Sequence, residues 1–234
     1  MTEVQFPPLF KGLAVDSKID PFEKACAEAL KGCDAGLVVY RLGSNDLRAA
    51  IVFAPEVPLA DSMAILPICG VGFQNALGAL APPEVAVHLE WDGGIRVNGA
   101  HCGKLRVASS GTDAAVEPDW LIVGLELRLW PESDDPGETP DQTALYAEGC
   151  ADVQADALLE AWVRHTLVGI NRWTDEGTVA IHTDWRGLAY GIGETAQLAG
   201  KSGTFLGVDE RFGMLLRDAD DTHLIPLTHL LENG

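Results

Sequence analysis

The sequence predicts an α+β fold: a mixed β-sheet with helices packed on it through about residue 188, then a small barrel-like β module over residues 189–234. Three observations carry this expectation. Three stretches read as helices bounded by caps, glycine or proline. Six stretches rich in β-branched and aromatic residues lie between turn signals, and after Gly191 glycines punctuate only short β-type runs.

The first helix signal is "SKIDPFEKACAEALKG". Asp20 suits the cap and Pro21 the first helical position, and Phe22, Ala25, Cys26 and Leu30 recur at helical spacing up to Gly32. Strands are expected over 36–42 and 47–54, joined by the turn-rich "GSND". Asp61 opens a second helix, "DSMAILPICGVGFQNALGAL". It is apolar on most sides and carries Pro67, which predicts a buried helix with a kink; its glycines read as helix-packing residues, with no phosphate-loop lysine beside them.

Further strands are expected over 85–91, 95–99, 104–109 and 119–130, with Asp92, Gly93 and Gly94 turning the first pair. The acidic, proline-rich stretch 131–142 has little to bury and reads as a surface loop. Leu159, Trp162, Val163, Thr166, Leu167, Ile170 and Trp173 mark one face of a third helix that starts near Asp156; residues 178–189 fit a strand or a short helix equally.

Composition bounds the function. The net charge of −19, from 16 basic and 35 acidic residues, argues against nucleic-acid binding, which needs clustered cations; the acidity reads first as a solubility surface. The apolar runs Met63–Phe73 and Trp120–Leu125 fall short of the ~20 residues of a membrane span. The first residues carry no basic-then-apolar secretion pattern, and five cysteines without a C-x-x-C pair suit free thiols, so a cytoplasmic location is expected.

Several segments, in order, resemble the biotin protein ligase and lipoate ligase family. "EWDGGI", "GKLRVAS" and "LIVGLEL" resemble its catalytic domain, and "GTFLGVDERFGMLLR" resembles the small SH3-like domain that ends bacterial biotin ligases. The resemblance runs from about Gly12 to the end. It implies domains over 1–188 and 189–234, and a ligase that activates a carboxylic acid with ATP and passes the acyl group to a lysine of an acceptor protein.

Position by position, "VDSKID" stands at the family's Asp-Ser-Thr-Asn signature, so Ser17 is a candidate ligand contact, although it also suits helix capping. Arg41 stands where biotin ligases carry Gln; it can equally pair with an acid such as Asp46. "LEWDGGI" stands at the Lys-Trp-Pro-Asn-Asp motif, where Trp91 matches as a pocket-wall or core aromatic and Glu90 reverses the charge. Lys104 matches the lysine that contacts the ligand carboxylate and activated phosphate, and is the candidate catalytic residue. The family's loop of the Gly-Arg-Gly-Arg-Arg-Gly kind is missing: only Gly43, Ser44, Asn45 and Asp46 connect the strands.

Adenylation brings two anions together, so its site needs several positive donors. With the loop gone, the expected function is binding of a small biotin-like or lipoyl-like acid near Lys104, with ATP-dependent activation weakened or lost. The alternative is an active ligase or acyltransferase that uses biotin, lipoate or octanoate. Cys102, two residues from Lys104 in an expected strand and hence on the same face, is a candidate thioester nucleophile, set against an ordinary small core residue. His88 and His101 lack partners at metal-ligand spacing, so no metal site is expected.

Overall fold

The computed structural model describes residues 4–131, 139–198 and 200–232. Its centre is a seven-stranded mixed sheet in the order β1-β2-β3-β7-β6-β5-β4. The strands are β1 (Lys11–Ala14), β2 (Leu37–Leu42), β3 (Asp46–Phe53), β4 (Val87–Leu89), β5 (Gly94–Val97), β6 (Ala100–Ser109) and β7 (Leu121–Arg128). β1 and β2 run parallel, connected by α1 (Pro21–Leu30), and the other pairs are antiparallel.

Alternation along the strands sends odd-numbered residues of β3 and β7 to one face. Leu47, Ile51, Val123, Leu125 and Leu127 there join the large core. That core is closed by α3 (Ile65–Leu80), α4 (Ala155–Glu176) and α5 (Thr178–Leu188); the short α2 (Leu59–Ser62) precedes α3. α3 and α4 approach closely because of glycine: a Cβ on Gly72 would lie 2.9 Å from Thr166 Oγ1, and one on Gly169 would lie 2.7 Å from Ile68 Cγ2.

On the opposite face α1 covers only part of the sheet, packing Phe22, Ala25, Cys26 and Ala29 on Val39, Ala50, Val52 and Ile122. Asp20 caps it as expected, accepting from the amides of Phe22 at 2.8 Å and Glu23 at 3.2 Å, with Pro21 following.

Three expectations are corrected. Pro67 does not kink the middle of a helix: it stands in the first turn of α3, and the helical run is interrupted ahead of it at Met63 and Ala64, where Met63 O, lacking a Pro67 N–H, accepts from Leu66 N instead. The strand expected at 104–109 begins at Ala100, because Asn98 (φ 50°) and Gly99 (φ 92°) form a tight hairpin with β5. Leu59–Leu80 is 22 residues long and passes for a membrane span by length and composition alone, but most of it is buried inside the protein, as in a core helix. The C-terminal β module is not a closed barrel: among the described residues it is a four-stranded antiparallel sheet in the order β11-β10-β9-β8. Its strands are β8 (Thr195–Leu198), β9 (Lys201–Val208), β10 (Met214–Arg217) and β11 (Thr222–Ile225). Phe205, Phe212, Met214, Leu216 and Ile225 pack into the large core. The stretch 178–189, left open between strand and helix, is helical over Thr178–Leu188 as α5.

Candidate functional site

Beyond the N-terminus of α1 no helix among the described residues covers the second face of the sheet. A row of residues in direct register crosses it: Arg41 on β2, Arg48 on β3, Glu126 on β7, Lys104 on β6 and Gly94 on β5. A groove of about 400 Å³ lies along this row, lined by Asp46, Arg48, Glu90, Lys104, Glu126 and Arg128 among others. That volume is within the ~300–1,000 Å³ of small-molecule sites.

The cations differ in how far they are committed. Arg48 Nε donates to Asp46 Oδ2 at 2.8 Å, and its Nη1 lies 3.4 Å from Asp20 Oδ2 and 3.9 Å from Glu126 Oε2. Burial works against its charge, but the Asp46 hydrogen bond with Glu126 and Asp20 more than offsets this and holds the guanidinium above its ordinary value. Lys104 is 55% exposed, and its one ion pair among the described residues is with Glu126, at 3.9 Å. Among the described residues Arg128 donates to carbonyl oxygens, to Thr143 O at 3.1 Å, to Gln142 Oε1 at 2.7 Å and to His101 O. Among the described residues no carboxylate lies within ion-pair distance of it. Among the described residues, Lys104 and Arg128 thus have the fewest close carboxylate contacts of the groove's cations.

A β-bulge decides what stands beside Lys104. The β5–β6 register slips between Ile95 and Arg96, so Gly103 pairs with Ile95, His101 with Arg96, and Cys102 has no partner on β5. Cys102 is consequently fully buried in the large core, its thiol 3.6 Å from Arg128 O. Burial pushes that thiol up to about 12, against the opposing pull of Arg128. The expected Cys102 and Lys104 pair on one face is therefore corrected, because strand alternation fails at the bulge. His101 takes the place beside the groove, and the segment from Asp141 to Thr143 pairs along it, with His101 N donating to Asp141 O at 2.8 Å and Thr143 N to His101 O at 2.8 Å. The rest of the acidic stretch, 132–138, lies outside the described residues.

The other sequence candidates separate. Arg41 donates to Ser17 O at 2.7 Å and to Asp46 Oδ2 at 2.5 Å, so the alternative pairing with Asp46 is the one observed. Ser17 itself is exposed. Both line a neighbouring cavity of about 760 Å³, which meets the groove at Asp46. Trp91 is 4% exposed, and its indole N–H donates to Phe212 O at 2.7 Å, so it stands behind the groove rather than in it. Arg48, Glu126 and Arg128 carry no motif that singles them out, although polar residues at every second place in "DLRAA" and "LELRL" signal one polar sheet face. Among the described residues no group of three or more His, Cys, Asp or Glu is placed to hold a metal ion.

Known proteins share this architecture. Residues 6–187 match the model of the "Biotin/lipoate A/B protein ligase family", and residues 192–233 match a domain of unknown function. A biotin protein ligase-like protein of unknown function from Silicibacter sp. TM1040 is 65% identical, with 98% of this chain and 100% of that one covered and a TM-score of 0.93. The biotin protein ligase of Aquifex aeolicus shares the fold at 16% identity and a TM-score of 0.74, covering 93% of this chain and 96% of that one. The biotin–[acetyl-CoA-carboxylase] ligase of Paracoccus denitrificans is 21% identical over 201 residues, 82% of each chain. With more than three quarters of its length matched by that family model, the chain belongs to the biotin/lipoate A/B protein ligase family.

Proposed function

We propose that the groove binds a small carboxylic acid of the biotin or lipoyl kind, its carboxylate held near Lys104 and Arg128, and that ATP-dependent activation of the acid is weak or lost. The observation that carries this is Lys104, a half-exposed ammonium lining the groove whose one ion pair among the described residues is a 3.9 Å contact with Glu126, whereas Arg48 is held by carboxylates at closer range.

The residues present are a poor fit to a nucleotide. β2 and β3 are joined by only Gly43, Ser44 and Asn45, and Gly43 N donates to Asp46 O at 2.8 Å, which closes the turn. Arg41 and Arg48 both donate to Asp46, leaving no loop of free amides and guanidinium groups for a triphosphate. Losing one or two charge-assisted contacts of ~1.5–3 kcal/mol each lowers a rate by orders of magnitude. A biotinyl or lipoyl acceptor protein belongs to the same reading, as a partner recognised through the acid it carries. The five cysteines, none in a disulfide, fit a reducing compartment such as the cytoplasm.

The alternative, an active ligase or acyltransferase, is favoured by the retained Lys104 and by the fold shared with the Aquifex aeolicus enzyme in complex with biotin and ATP. A thioester route through Cys102 is disfavoured, because a buried, protonated thiol is a poor nucleophile. The deciding experiment is exchange of labelled pyrophosphate into ATP with biotin, lipoate and octanoate in turn, run beside thermal shift with each acid. Stabilisation by an acid without exchange supports the binder. Exchange that is lost in Lys104→Ala overturns it in favour of the ligase.

A further inference from the structure

The wall of the groove opposite Arg48 is the turn between β4 and β5, from Glu90 to Gly94, and residues beyond 188 hold it from two sides. Trp91 donates its indole N–H to Phe212 O at 2.7 Å. Phe212 occupies a left-handed position (φ 61°) in a turn closed by Asp209 Oδ1, which accepts from Arg211 N at 2.9 Å and Gly213 N at 2.7 Å. Its ring packs on His182 and Trp185 of α5, with centroids 5.4 and 6.2 Å away. The carbonyl that receives Trp91 is thus fixed by the module's own turn and by α5.

On the other side, Tyr190 N donates to Leu89 O at 2.8 Å, and the Tyr190 ring lies against the Arg96 guanidinium at 4.2 Å. Arg96 donates Nε to Glu90 Oε1 at 2.7 Å and Nη2 to His101 Nε2 at 2.7 Å. A guanidinium only donates, so Nε2 accepts and the ring proton sits on Nδ1, which faces Glu90 Oε2 at 3.3 Å. The wall's backbone is therefore held through Trp91, and its Glu90, Arg96 and His101 side chains are oriented through Tyr190.

We propose that the C-terminal module is a positioning element for the groove: through Trp91 and Tyr190 it fixes Glu90, Asp92 and Gly94, together with His101 across the bulge. Neither Trp91 nor Tyr190 lines the groove, so both act through the residues they hold. The hold is mechanical and stands apart from what the groove binds; its effect on ligand affinity rests on the acid-binding reading.

The test is amide hydrogen exchange on the full chain, comparing wild type with Trp91→Phe, Tyr190→Ala and Tyr190→Phe. Loss of one hydrogen bond or stacking contact predicts roughly tenfold faster exchange. The faster exchange is confined to residues 90–104 in Trp91→Phe and Tyr190→Ala, with α1 and the β2–β3 hairpin unchanged. Tyr190→Phe, which keeps the ring, retains the wild-type pattern. No change at 90–104, or a uniform rise over the whole chain, overturns the proposal and leaves the module as a general stabiliser. Titration of the same proteins with biotin, lipoate and octanoate separates the two readings: wild type that binds none of them, with the local exchange pattern intact, removes acid binding while the positioning role stands.

Discussion

Lys104 and Glu126 stand opposite each other on β6 and β7, Nζ 3.9 Å from Oε2, on the sheet face that α1 leaves bare. Glu126 has a nearer cation in Arg106, whose Nη1 lies 3.2 Å from Oε1. The carboxylate is therefore already served, and Lys104 remains open to an incoming anion.

Lys104→Ala is accordingly expected to leave stability within about 1 kcal/mol of wild type, as for exposed ion pairs. The same variant loses any thermal stabilisation by biotin, lipoate or octanoate. Differential scanning fluorimetry with and without each acid measures both, and a variant that still responds to the acid excludes Lys104 as the anchor.

Cys102 contributes to a loss of stability at alkaline pH, alongside the Cys26 and Cys69 thiols that burial also raises. Its folded value is raised from 9.0 to about 12, so below pH 9 the folded and unfolded chains hold the same proton. Between 9 and 12 the unfolded chain releases that proton first, and stability falls as pH rises, by about 1.4 kcal/mol per unit. Urea unfolding at pH 8 and pH 10 should show this loss, reduced in Cys102→Ala. Alkylation by iodoacetamide at pH 8 should leave Cys102 unmodified in the folded protein.

Arg106 ties three parts of the chain together. Its guanidinium lies 2.6 Å from Glu232, 3.2 Å from Glu23 and 3.6 Å from Asp20, besides Glu126, and 4.2 Å from the Phe22 ring centroid. The Glu232 hydrogen bond foremost holds it well above its ordinary value. Arg106→Ala leaves four carboxylates together and is expected to cost about 2–4 kcal/mol in chemical denaturation. Added salt should recover part of this by screening, and Arg106→Lys should lose less.

The short β2–β3 turn is predicted to limit nucleotide binding. Lengthening a surface loop costs little, about 0.6 kcal/mol per doubling. A glycine- and arginine-rich hexapeptide inserted between Gly43 and Ser44 keeps Asn45, whose carbonyl accepts from Leu129 N at 2.8 Å. It should add an ATP-dependent thermal shift that wild type lacks; a chimera that folds and shows none would place the limitation elsewhere.

Much of this protein is legible in the order of its residues. The Asp20-Pro21 start of α1, the apolar face of α4 and the β-branched, apolar runs of β2, β3 and β7 are local signals, because capping, periodicity and strand preference act within a few residues. The missing loop is visible as a count of residues between two strands, and the motif order points to the family that residues 6–187 match. The hairpin at Asn98-Gly99 rests on an equally local Asn-Gly signal, yet both residues fall inside the strand expected over 95–99, and the next strand starts four residues earlier than its β-type run suggests.

What only the tertiary structure decided depends on contacts between distant segments. The bulge at Ile95/Arg96 buries Cys102 and brings His101 to the groove, since one extra residue reverses which face a strand position meets. Arg48, Glu126 and Lys104 come from strands far apart in sequence and form one row only through cross-strand register. Trp91 could be read as a pocket wall or as core, and the carbonyl that settled it lies 121 residues further along the chain. Sequence by itself therefore pointed to most of the elements and to the family; packing and register determined which side chains share the groove.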